Sequence, residues 1–103
     1  MERQPIENTF HTDHNNNPTG GMSQGQGFAI DWQNGVLERN GAYLEEVLEA
    51  CLARLYFFQD AGLGKFRCRE NALAITHIED ALHWLDHRTQ TRVRRGVEGT
   101  YTP

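Results

Sequence analysis

The sequence predicts an α+β fold, mainly α, in which a short N-terminal β-ribbon precedes an antiparallel helical hairpin. Large apolar side chains fall at every second position in Phe28-Ala29-Ile30-Asp31-Trp32, the period of a strand with one apolar face. Further along, Leu44, Leu48, Cys51, Leu55 and Phe58 step by 4, 3, 4 and 3, and Ala74, Ile78, Ala81 and Leu85 step by 4, 3 and 4. Those are the spacings of two amphipathic helices. With 103 residues, 38% of them hydrophobic, the chain builds one small core and is expected to need a partner copy.

Residues 1–26 hold only Ile6, Phe10 and Met22 as larger apolar side chains beyond Met1. Asn15-Asn16-Asn17-Pro18 and Gly20-Gly21 are loop chemistry. Such a composition does not offset its own ordering entropy, so these residues are expected to form a flexible polar arm or to order against another subunit. The domain proper is expected over residues 27–96, with residues 97–103 as a C-terminal tail.

The strand at Phe28–Trp32 is followed by Gln33-Asn34-Gly35, and Asn-Gly is a strong turn signal, so Val36-Leu37 is expected to return as a second strand. Asn40 is the expected cap of the first helix, with Glu45 and Glu46 in an early turn where the helix dipole favours them. Asp60-Ala61-Gly62-Leu63-Gly64 ends that helix, and a second runs from about Arg69 to Val93, stopped by Gly96. A short Gly-containing connection makes the two antiparallel neighbours.

Beyond Leu85 the same stepping continues through Arg88, Arg92 and Arg95, so one face is apolar and then basic. The second helix outruns the first by on the order of 10 Å, beginning near Arg88. Arg94 and Arg95 suit a helix C-terminus. Arg88 and Arg92 lie on the inward seam, where an unpaired charge is costly. Two guanidiniums one turn apart suit a bound phosphate or diphosphate, and a salt bridge to Glu38 or Asp31 is the competing explanation.

The chain carries a formal charge of −4, distributed unevenly: residues 1–60 have three bases against nine acids, residues 61–103 seven against five. The acidic total argues against a nucleic-acid polymer as partner, and the positive field gathers on the second helix. No apolar run is long enough to span a bilayer or to form a signal-peptide core. Two cysteines make no disulfide framework, so a reducing, cytoplasmic setting is expected. Cys51 reads as a core thiol on the helix seam, too far from Cys68 for a disulfide. His83 and His87, four apart with Glu79 or Asp80 near, read as solvated or packed side chains ahead of a metal pair. The chain has no nucleophile elbow, HExxH, P-loop or dinucleotide fingerprint, so a binder without catalysis, metal or cofactor is expected.

The run Cys68-Arg69-Glu70-Asn71-Ala72-Leu73-Ala74-Ile75-Thr76, then Ala81-Leu82-His83-Trp84-Leu85 and Arg88-Thr89 with Arg92, closing with Arg95-Gly96-Val97-Glu98-Gly99-Thr100, resembles a family of small phage proteins. So does Trp32-Gln33-Asn34-Gly35-Val36 followed by Asn40-Gly41. These are the anti-defence sponges that act against the Thoeris and CBASS immune systems and share a helical hairpin domain. The resemblance covers roughly residues 28–100. It implies dimers that assemble into hexamers in the host cytoplasm, and a non-catalytic function. That function is to bind cyclic nucleotide messengers (glycocyclic ADP-ribose, cyclic dinucleotides or trinucleotides) and keep them from the host effector. It implies ligand contacts from an aromatic near the end of the first helix, Phe57 or Phe58, from Asn71, and from the pair Arg88 and Arg92. Tyr101 reads either as a cap on that pocket or as a disordered tail residue. An assembly protein that oligomerises through the hairpin is the rival reading, and a small regulator binding nucleic acid through the basic helix end is a third.

Asn71 and Arg88 are 17 residues apart on one helix, about 25 Å along its axis. If both touch one small ligand, the arginines must come from an antiparallel partner, and an isologous dimer then holds two equivalent pockets.

Overall fold

Phe28–Trp32 does form a strand, and its neighbour comes from the polar segment before it. The computed structural model describes all 103 residues. It contains a three-stranded antiparallel sheet of β1 (Glu7–Thr12), β2 (Pro18–Gly25) and β3 (Phe28–Trp32), then helices α1 (Leu44–Gly64) and α2 (Arg69–Arg95). The chain divides into two compact units, Met1–Leu44 with Gly99–Pro103, and residues 45–98.

This corrects the expectation of an unstructured arm, because β1 and β2 both lie within residues 1–26. A polar sequence makes these strands because the backbone ladder and a few side-chain bonds supply what apolar burial does not. Asn8 pairs Ser23 and Ser23 pairs Ile30, while Phe10 pairs Gly21 and Gly21 pairs Trp32, so these six share one face of the sheet. Across that face Trp32 Nε1 donates to Ser23 Oγ at 2.8 Å, and the Ser23 hydroxyl donates to Asn8 Oδ1 at 2.6 Å. Ser23 is the one buried polar residue, and both its hydrogen-bonding capacities are used. Gly21, at φ 137°, lets β1 approach so closely that a Cβ there would strike the Thr9 carbonyl. The turn between β1 and β2 is tied by Asp13, whose carboxylate accepts from the backbone N–H groups of Asn15 and Asn17, each at 2.9 Å, and from the Asn17 amide at 3.2 Å. The Asn17 backbone donor is the main cause of a carboxyl pKa below its ordinary value.

Val36-Leu37 does not return as a strand. The Gln33 side chain holds the loop instead: its Oε1 accepts from the backbone of Asn40 at 2.9 Å and Gly41 at 3.1 Å, and its Nε2 donates to the Leu37 carbonyl at 3.1 Å. Asn40 is not the helix cap either, since its Oδ1 accepts from Asn34 N at 2.7 Å and α1 begins at Leu44. The exit from the loop runs parallel to β3, with Ala42 N donating to Asp31 O at 2.7 Å and Gln33 N to Ala42 O at 3.0 Å. In the tail, Tyr101 donates its hydroxyl to Pro18 O at 3.2 Å, an ordered contact with the sheet unit.

In the second unit α1 is regular as far as Asp60, then Ala61 turns extended and Gly62 and Leu63 are left-handed. α2 ends where Gly96 adopts φ 72°, ψ 22°. There Gly96 N donates to Val93 O and Val97 N to Arg92 O, each at 3.0 Å, a Schellman motif that satisfies two terminal carbonyls. The helices run antiparallel, linked by Tyr56 to Glu79 at 2.9 Å and Arg88 to Glu45 at 3.6 Å. The seam of α2 follows Ala74, Ile75, Ile78, Ala81, Leu82 and Leu85, and that of α1 follows Leu48, Leu52, Leu55 and Gln59. The α1 seam is thus turned by about one residue from the expected line. Leu44, Cys51 and Phe58 sit beside it, exposed, so Cys51 is not a core thiol. Only Ile75 is a buried apolar residue. No helix is long and apolar enough to cross a membrane.

Candidate functional site

Sequence reasoning nominates Phe57, Phe58, Asn71, Arg88 and Arg92, and these fall at the two ends of the hairpin. Phe57 and Phe58 lie in the last regular turn of α1, where the chain must turn. Both are exposed, with ring centroids 6.1 Å apart and planes tilted by 59°. Arg54, one turn earlier, lays its guanidinium over both rings, 5.0 Å from Phe57 and 4.8 Å from Phe58. Sequence reasoning missed that cation, although its offsets of three and four residues from the rings are a helical-contact signal.

Asn71 stands in the first turn of α2, half-buried, at the same end of the hairpin. The turn itself is stitched by Gln59: Cys68 N donates to Gln59 Oε1 at 3.0 Å, and Gln59 Nε2 donates to Cys68 O at 3.2 Å. Arg67 closes it from outside through Asp60 at 3.3 Å and the Gln59 carbonyl at 3.2 Å. The N-cap residue, Cys68, makes no side-chain capping bond, and the Gln59 amide instead pairs with the backbone N–H and carbonyl of Cys68 itself. The loop end is therefore a fixed corner with aromatic faces, a guanidinium and a helix-start amide.

The two nominated arginines sit at the other end and differ from one another. Arg88 is largely exposed, 63% for its side chain, and faces Glu45 in the first turn of α1. Arg92 is the enclosed one at 22%: Nε lies 3.3 Å from Glu98 Oε2, and Nη2 donates to Val97 O at 2.9 Å. Neither expected competitor, Glu38 or Asp31, is the partner; Glu45 and Glu98 are. α2 does outrun α1, since Arg88 is level with Glu45 and Arg92 lies a turn further on. The structure brings Phe57, Phe58 and Asn71 to one end and Arg88 and Arg92 to the other, about 25 Å away by the rise of α2.

His83 and His87 flank Trp84 edge-on, at 5.5 and 5.8 Å between centroids. They form no group of three His, Cys, Asp or Glu that could hold a metal ion. Tyr56 donates to Glu79, and a carboxylate accepting its proton pushes the phenol above its ordinary pKa.

Over residues 25–90 the sequence matches the family described as Acb2/Tad1, hairpin domain. That span holds β3, α1 and most of α2, with Phe57, Phe58, Asn71 and Arg88; Arg92 lies beyond it. The chain is also 48% identical over 62 residues to "Thoeris anti-defense 1" of Bacillus phage SBSphiJ7, an alignment taking in 60% of this chain and 42% of that one. The chain thus spans less than half the length of that relative. Strand, loop and antiparallel helices follow one another in the matched span as a hairpin domain requires, and the chain belongs to the Acb2/Tad1 hairpin-domain family.

Proposed function

We propose that this protein is a phage anti-defence sponge, which binds a cyclic nucleotide immune messenger in the host cytoplasm and withholds it without degrading it. The family match carries the reading, because four of the five nominated contact residues lie inside the matched span. The relative's name points to the Thoeris system. The side chains fit the chemistry: an aromatic face stacks on a base, guanidiniums hold phosphate oxygens, and an asparagine amide reads a polar edge.

The pocket belongs to an isologous dimer, in which the Phe57, Phe58 and Asn71 corner of one copy meets the Arg88 and Arg92 pair of the other. Two observations support this. The contact groups of one chain are too far apart for a small cyclic nucleotide. The hairpin also buries a single apolar residue and leaves Leu44, Phe58, Leu73 and Trp84 between 41% and 62% exposed. A dimer of this kind can assemble further, into a trimer of dimers.

Thermal denaturation against glycocyclic ADP-ribose, cyclic dinucleotides and cyclic trinucleotides tests the reading: one of them at large excess raises the Tm by several degrees. Mass spectrometry of the released ligand then finds it intact. An assembly protein using the same exposed helix surface responds to none of them.

A further inference from the structure

The enclosed guanidinium of the candidate site is already occupied by a carboxylate from its own chain, and the fold puts that carboxylate there deliberately. Gly96 in the left-handed conformation reverses the backbone at the end of α2. The reversal brings Val97 N to Arg92 O at 3.0 Å and carries the Val97 carbonyl back over the last turn, where it accepts from Arg92 Nη2 at 2.9 Å. The next residue, Glu98, reaches Arg92 Nε at 3.3 Å. Arg92 is thus engaged by Val97 through main chain and side chain, and by a carboxylate one residue later. These contacts come from seven consecutive residues and one motif, so they form whenever α2 ends as it does.

We propose that Glu98 is an internal surrogate for the ligand's phosphate: it pairs with Arg92 in the free protein and is exchanged for an anionic phosphoryl group on binding. The inference deepens the proposed function and rests on it. Three features support the assignment. Arg92 is 22% exposed, and a guanidinium so enclosed favours an anionic partner, which Glu98 supplies. The Glu98 side chain is 44% exposed and tethered by a short turn, so it can leave without unfolding the helix. Arg88, one turn earlier on α2, also faces a carboxylate of the chain, Glu45 of α1 at 3.6 Å. A carboxylate and a phosphoryl oxygen both accept from a guanidinium fork, and a doubly charged diphosphate exceeds a single carboxylate in the exchange. The surrogate therefore favours ligands that present more phosphoryl charge to Arg92 than the single carboxylate they replace.

The experiment compares the full chain with Glu98→Gln by calorimetry, using glycocyclic ADP-ribose and a cyclic dinucleotide as probes. Amide hydrogen exchange of residues 96–100 is followed with and without probe. Glu98→Gln keeps the shape and removes the competing charge, so it tightens binding by about two- to fivefold, the scale of a half-exposed ion pair. In the parent protein, saturating probe raises exchange at Gly99 and Thr100, as the tail loses its hold on Arg92. Equal affinity in the two proteins, or unchanged exchange on ligation, overturns the surrogate role and leaves the proposed function standing. Weaker binding by Glu98→Gln overturns it too, since Glu98 then positions Arg92 for the ligand. A parent protein that binds none of the probes sinks the proposed function, and this inference with it.

Discussion

Replacing Arg92 and Arg88 by alanine, one at a time, should give unequal losses of messenger binding. Arg92 is 22% exposed and held at both ends of its guanidinium, so its fork is fixed before the ligand arrives. A hydrogen bond to a charged group in such a setting contributes about 1.5–3 kcal/mol. That is roughly a 10- to 150-fold loss of affinity for Arg92→Ala. Arg88 is 63% exposed with a 3.6 Å partner, so water screens it. Exposed pairs contribute about 0.2–1 kcal/mol, which makes Arg88→Ala a loss of roughly fivefold or less. Calorimetric titration with the probe giving the largest Tm gain reads both values, and urea unfolding of each variant corrects for stability. The Arg92 loss should also grow in a Glu98→Gln background, because the competitor is then gone from the reference state. The reasoning fails if Arg88→Ala costs as much as Arg92→Ala, or if Arg92→Ala leaves affinity unchanged.

Other consequences concern the scaffold. Ser23→Ala removes the acceptor of Trp32 Nε1 and the donor to Asn8, and should destabilise the sheet by about 2 kcal/mol in urea unfolding followed by tryptophan fluorescence. Gly96→Ala meets no neighbouring atom but is strained at φ 72°, so it should cost about 1–2 kcal/mol and loosen the amides of residues 97 and 98 in hydrogen exchange. Tyr56 is held protonated by Glu79 in the fold, so its stabilising effect is complete below the ordinary phenol pKa of 10.0 and is lost as pH rises through the higher folded value. Absorbance titration should show one tyrosine ionising late, and Glu79→Gln should return it to the ordinary range.

Where one residue type dictates the backbone, the sequence reads directly. Gly96 stops α2, the Gly62–Gly64 region ends the regular part of α1, and the 4-3-4 stepping from Ala74 to Leu85 marks the α2 seam. The sheet was not legible in the same way. β2 reads Pro-Thr-Gly-Gly-Met-Ser-Gln-Gly, with almost no β-branched or aromatic content. Its strand character comes from backbone pairing on both edges and from Ser23, which no propensity reports. The alternation of Ile6, Asn8 and Phe10 was a usable signal, with Asp13 and three asparagines as the turn after it. The Asn34-Gly35 turn misled for the converse reason: Gln33 satisfies the loop's backbone groups, so no return strand is needed. Charge on a seam nominated Arg92, but its carboxylate partner came from a helix-terminal motif six residues on, beyond any intrahelical spacing rule.

In the proposed two-copy pocket, the separation between the nominated contact groups sets where the copies meet. For Asn71 of one α2 to face Arg88 or Arg92 of an antiparallel partner, the twofold axis must pass between residues 79 and 82, the midpoints of those pairs. Within one turn of that position stands Trp84, 62% exposed, with Ala81 beside it on the edge of the seam. Within the hairpin Trp84 meets only the edges of His83 and His87 among the rings, which leaves most of its surface exposed, and a small residue next to it suits the close approach of two crossing helices. The spacing of the nominated contact residues and the burial pattern point to the same stretch of α2. Trp84→Glu should therefore dissociate the assembly and abolish messenger binding together, although residue 84 lies about 20 Å along the helix from Asn71. In the parent protein the Tm should rise with protein concentration, and in the variant it should not. Sedimentation of Trp84→Glu as a monomer that still binds the messenger at parent affinity would show that one chain suffices, and the two-copy pocket would have to be abandoned.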